Sequence, residues 1–225
     1  MKKQSFLNKI LASSITESQQ RGLDAVAELY GTKTSFTKGF KVSNGRKAII
    51  FTVKVGPSQM LDSLAWPTVS SNIALMVYEN FSFEDRKTYT TIAVEKLVDN
   101  KVKEKPLYFG LNSLANAMDQ ARIFTDFSEH LIRGEYVAIV ENVNPKYKNA
   151  QTLPNLTGYM EKLIREHGKI MGYKRTEYGI LTLKNGDKLY KYIGYLKFAD
   201  QSVQRYSVTT SMDITNNVFE GFKLN

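Results

Sequence analysis

Residues 179–198 read GILTLKNGDKLYKYIGYLKF, with aliphatic, tyrosine and lysine residues interleaved around a single Asn-Gly. Turn chemistry makes this a β-hairpin, and the loop length decides which side chains share a face. A two-residue Asn185-Gly186 loop pairs Leu183 with Lys188 and Thr182 with Leu189, so both faces mix leucine with lysine. A three-residue Lys184-Asn185-Gly186 loop, with Gly186 in the left-handed region, pairs Thr182 with Lys188 and Leu181 with Leu189. That register gathers Leu181, Leu183, Leu189, Ile193 and Tyr195 on one apolar face, with Lys191 the exception, and is the one we adopt.

Residues 203–215 alternate in the same way, with Tyr206, Val208, Met212 and Ile214 on one parity. A four-residue connection, 199–202, sets Tyr195 opposite Tyr206, Ile193 opposite Val208 and Leu189 opposite Met212, which completes an apolar face. The opposite face then displays Lys188, Tyr190, Tyr192 and Arg205, with Lys184 in the turn. Tyrosines at a period of two, flanked by cations, suit stacking of unpaired bases with phosphate neutralisation, and they equally suit a subunit interface. Ordinary strand propensity and cross-strand pairing produce the same pattern without any partner.

Working outward, residues 3–13 carry Phe6, Leu7, Ile10 and Leu11 on one helical stripe, which predicts an amphipathic helix that either packs locally or serves as a docking arm. Capping-box patterns begin at Ser14 and Thr16, Leu23, Val26, Ala27 and Tyr30 form the inner face of a second helix, and Gly31 ends it. Strands are predicted at 48–55, 72–83, 88–98 and 135–143, and the first three follow one another without a helix, which predicts antiparallel pairing. Trp66, the only tryptophan, precedes Pro67 in the connection 58–71, as a core plug or an interface anchor. Two longer amphipathic helices are predicted, at 112–133 with Leu114, Met118, Ala121, Phe124, Ser128 and Leu131 inward, and at 155–171 with Leu156, Met160, Leu163, His167 and Ile170 inward. A polar loop, 146–154, lies between the last strand and the last helix. The expected fold is therefore α+β: a mainly antiparallel sheet, sandwich- or barrel-like, with an N-terminal helical arm (1–31) and two helices packed on a single domain (32–225).

The 225 residues, 42% hydrophobic and 24% charged, describe a folded rather than a disordered chain. With no cysteine there is neither a disulfide framework nor a thiolate nucleophile. The start is basic, but the apolar stretch that follows is broken by Asn8 and Lys9, which argues against a signal peptide, and no apolar run is long enough to span a membrane. The net charge of +9 favours polyanions or acidic surfaces, although the cations are dispersed rather than blocked.

Chemistry is thinly represented. The two histidines, His130 and His167, lie on separate predicted helices, and no phosphate loop, nucleophile elbow or zinc-protease motif occurs. Asp62 with Asp85-Arg86-Lys87 is only a loose imitation of a metal-dependent nuclease pattern, and Glu84-Asp85 reads more simply as a turn. No catalytic residue, metal or cofactor is assigned. Lysine- and asparagine-rich texture without an enzyme motif is similar to that of bacteriophage structural proteins. The expectation is a non-catalytic subunit of a larger assembly, such as a virion head, connector or tail, contacting other protein subunits in the virion or host cytoplasm. The alternative is a protein that binds single-stranded DNA or RNA through the Lys184, Lys188, Tyr190, Tyr192, Arg205 face.

Overall fold

The computed structural model describes residues 14–43, 45–99, 101–102, 105–216 and 218–224, so the predicted arm with Phe6, Leu7, Ile10 and Leu11 lies outside the described residues. The fold is α+β, with seven α-helices and two mostly antiparallel sheets among the described residues. Among the described residues each sheet is an open array rather than a closed barrel. The chain divides into two compact units, one up to Ala115 and one from Asn116.

The first unit runs α1 (Glu17–Tyr30), β1 (Thr34–Ser43), β2 (Arg46–Val55), α2 (Gln59–Ser63), α3 (Trp66–Asn80), α4 (Phe83–Thr88), β3 (Thr91–Val98), β4 (Lys101–Val102) and β5 (Leu107–Gly110). The expected capping box forms at Thr16 and Gln19, and Gly31 closes α1 at φ 58°. Strands β1 and β2 are an antiparallel hairpin, but β2 and β3 run parallel, which corrects the antiparallel expectation. The cause is α3. Most of the stretch 72–83, expected as a strand, falls within this helix, whose Asn72, Ile73, Ala74, Leu75, Val77 and Tyr78 are all buried. A helix buried on nearly every side shows no amphipathic period, so its apolar run imitates a core strand. Pro67 at the first turn and a length of 15 residues were the signals for helix. Helices α1 and α3 meet at Gly22, where a β-carbon would come within 3.1 Å of the Val77 backbone. They cover the sheet face bearing Phe51, Val53, Val55, Ile92 and Val94.

The long helix α5 (Leu111–Arg133) follows as expected and leads into the second unit, with Gly134 left-handed at its end. Next come α6 (Tyr136–Glu141), a 3₁₀ turn at Pro145–Tyr147, α7 (Thr152–His167), β6 (Ile170–Thr182), β7 (Lys188–Phe198), β8 (Val203–Ser211) and β9 (Phe219–Leu224). The strand expected at 135–143 is mostly helix α6. Its half-buried Tyr136 and buried Ile139 and Val140, with buried Val143 just beyond it, recur at helical spacing, a pattern that the valines and isoleucine had masked as β. The polar stretch 146–154 likewise contains the 3₁₀ turn and the start of α7, and Ile170 belongs to β6 rather than to the helix. Strands β6 to β9 form one antiparallel meander in sequence order.

Candidate interaction surfaces

The second sheet begins with the hairpin of residues 179–198, and its three-residue loop is as expected. Thr182 faces Lys188, Leu181 faces Leu189, the Gly186 N–H donates to the Leu183 carbonyl at 3.0 Å, and Gly186 has φ 89°. The next connection differs from expectation by one residue. It is Ala199-Asp200-Gln201, with the Phe198 N–H donating to Ser202, the Gln201 N–H to Phe198, and Gln201 left-handed at φ 71°. This is the same three-residue construction as the first turn, with glutamine where glycine is usual. Tyr206 therefore pairs with Gly194, not Tyr195, and Val208 pairs with Tyr192, not Ile193. A one-residue slip exchanges the faces of a whole strand.

Tyr178, Tyr190, Tyr192, Leu196, Tyr206 and Val208 consequently share one buried face, and α5 lies against it. Phe124 stacks on Tyr206 at 5.2 Å, Phe127 meets Phe219 and Phe222, and the Tyr192 hydroxyl donates to the Ala117 carbonyl at 2.7 Å. Hydroxyls of Ser128 and Tyr206 are hydrogen-bonded to each other. Burial pushes the phenol of Tyr178 up to about 12, and those of Tyr190 and Tyr206 upward as well. Tyr190 is 3% exposed and Tyr192 0%, so neither ring is open to a base or a partner in this fold, and the outward placement expected for them is corrected. Of the remaining residues of that expected face, Lys184 is exposed in the turn and Lys188 at the end of β7. Arg205 points to the other side, where its Nη2 donates to Glu177 at 2.7 Å. The five residues are thus not one surface.

Outward-facing positions instead include Lys174, Lys191, Tyr195, Lys197, Arg205 and Lys223, around buried Glu177, Ile193 and Ser207, with Leu181, Leu189 and Val203 toward the ends. Lys174, Lys197 and Lys223 are exposed. α5 and α7 approach the inner side, α7 through the contact of His167 with Phe198.

In the first unit the most prominent surface is the free end of the β1–β2 hairpin. Pairing of β2 with β3 begins only at Ile50, while β1 and β2 stay paired from Thr34–Val55 out to Ser43–Arg46. A two-stranded ribbon therefore continues past the sheet, carrying Phe40 at 49% and Val42 at 61% exposure. The Lys47 ammonium lies 5.1 Å from the Phe40 ring centre, Lys38 5.7 Å from Phe36, and Lys41 5.7 Å from Tyr108. Lys38 also donates to the Ser14 carbonyl at 2.9 Å. β1 is an edge of its sheet.

Trp66 opens α3 and is 9% exposed, so its ring fills the core of the first unit. The Lys96 ammonium lies 5.8 Å from that ring and 2.7 Å from Asp62. Asp85, also buried, accepts from Gln19 Nε2 at 2.6 Å, from the Ser82 N–H at 3.2 Å and hydroxyl at 2.9 Å, and from the Ser18 hydroxyl. It thereby ties the first turns of α1 and α4 together. Burial alone would raise this carboxyl, but the hydrogen bonds from Ser18, Ser82 and Gln19 hold it below its ordinary value. His130 and His167 each bond a carboxylate at a helix end, Glu135 at 2.7 Å and Asp200 at 2.8 Å. Among the described residues no group of three or more His, Asp or Glu side chains is placed to hold a metal ion, and no helix is long and apolar enough to cross a membrane. A cleft of about 720 Å³ at the carboxyl ends of parallel β2 and β3 is lined by Thr32, Thr34, Lys54 and Asp99, with Lys54 3.8 Å from Glu95.

Compared with protein families, with characterised proteins and with solved structures, the chain matches none.

Proposed function

We propose that the protein is a non-catalytic structural subunit that assembles with copies of itself through the β1 edge and the exposed ribbon. The observation that carries this is the pair Phe40 and Val42, half exposed or more on a ten-residue edge strand whose outer hydrogen-bonding side is unpaired among the described residues. Edges of this length are commonly shortened, bulged or covered, because they template pairing with another chain. Antiparallel pairing of β1 with a second copy about Gly39 sets Phe36 opposite Val42 of the partner subunit and Lys38 opposite Phe40 of the partner subunit. Apolar meets apolar, a cation meets a ring, and no two lysines are opposed. Composition suggests a bacteriophage virion as the setting.

Light scattering on the purified protein tests the proposal. The expected result is a mass of at least two chains, reduced to one chain in the Phe40→Ser, Val42→Lys double variant with the unfolding midpoint preserved. A wild type that stays monomeric at every concentration would falsify it.

A further inference from the structure

We infer that the outward face of the β6–β9 sheet binds single-stranded nucleic acid. This concerns a surface of the second unit and is independent of the β1 edge. Five cations, Lys174, Lys191, Lys197, Arg205 and Lys223, share the face with one carboxylate among the described residues, Glu177. That carboxylate is 3% exposed and is answered within the sheet by Arg205 at 2.7 Å, so the field presented to solvent includes that of Lys191, Lys197 and Lys223.

Two features favour a nucleic acid over an acidic protein. Lysine is depleted from protein–protein interfaces, which draw their affinity from apolar and aromatic area. Here the central aliphatic residue, Ile193, is only 8% exposed, and the exposed aliphatic residues of the face, Val203 and Leu181, stand at its two ends, so its centre offers lysines and little apolar surface. Tyr195 is half-buried and pairs with Lys174 on one neighbouring strand and Arg205 on the other. Lys197, exposed and two residues on along β7, shares the face with Tyr195, so a base stacked on the ring has a cation within reach of a flanking phosphate. Lys191 and Lys197, six residues apart on β7, extend the cationic track over about 20 Å. A duplex, whose bases are already stacked, has no use for Tyr195.

The test is fluorescence anisotropy of a labelled oligothymidylate with the full chain at several salt concentrations. Binding is expected at low salt, with log K falling linearly in log salt. Replacing three lysines together, Lys191→Gln, Lys197→Gln and Lys223→Gln, should make that slope shallower by about 2 and weaken binding about a hundredfold near ~0.1 M salt. Tyr195→Ala should weaken it about tenfold at unchanged slope. Should the triple variant fail to fold, Lys197→Gln alone, at an exposed position, tests the same point with a slope change of about 0.7. The inference is overturned if the wild type does not bind the oligonucleotide, if folded lysine variants keep the wild-type slope, or if poly-glutamate binds and the oligonucleotide does not. Preference for duplex over single strand overturns it equally.

Discussion

At the scale of single residues, Asp85 ties two helices together while Gln201 holds a turn in a costly conformation. Asp85 caps α4 and reaches Ser18 and Gln19 of α1, so its carboxylate joins helices that start 66 positions apart in sequence. Asp85→Asn should cost about 1–3 kcal/mol, because the amide cannot accept every hydrogen bond the carboxylate accepts. The pH dependence has a definite sign. A carboxyl held below its ordinary value contributes stability that is fully present above its unfolded pKa, about 3.9, and is lost as pH falls through the lower folded pKa. Urea unfolding at successive pH values should show the wild type losing stability in acid below that point, while Asp85→Asn loses less over the same range. Equal losses in the two proteins would remove Asp85 from this role. Gln201, a non-glycine in the left-handed region, carries a backbone cost. Gln201→Gly should raise stability by about 0.5–1 kcal/mol, whereas a turn of the expected four-residue form would gain nothing from glycine there.

At the scale of elements, the sheet and helix of the second unit fit each other through one absent side chain. A β-carbon at Gly194 would lie 2.5 Å from the Lys174 carbonyl oxygen and 2.7 Å from the Phe124 ring. Gly194→Ala should therefore destabilise by about 1–3 kcal/mol in thermal or urea unfolding, with the loss concentrated in contacts between α5 and β7. Much of this architecture was legible from residue chemistry. Asn185-Gly186 determined the first turn, the Thr16 to Gln19 box and Gly31 bounded α1, and the period of Leu114 to Leu131 located α5. What was not legible has specific causes. Helix α3 is buried on almost all sides and so lost its period, and with it went the parallel direction of β3. The face of Tyr190 and Tyr192 depended on a turn whose left-handed residue is glutamine, and no composition rule marks that position. The candidate surface followed the same slip: the cationic, tyrosine-bearing face exists, but its tyrosine is Tyr195 and its lysines are the odd-numbered ones of β7.

At the scale of the whole molecule, the net charge of +9 acquires a partial location, since the outward face of the second sheet concentrates cations and the first unit's ribbon carries lysines over aromatic rings. The two proposed contacts use different residues in different units, so they should separate in the double variant and the lysine variant. The first should lose assembly and keep oligonucleotide affinity; the second should do the reverse. Assembly is the central claim, and mass by light scattering of the wild type beside the Phe40→Ser, Val42→Lys variant tests it most directly. The expected result is an oligomer for the wild type and a folded monomer for the variant; an oligomer of unchanged mass in the variant would contradict assembly through the β1 edge.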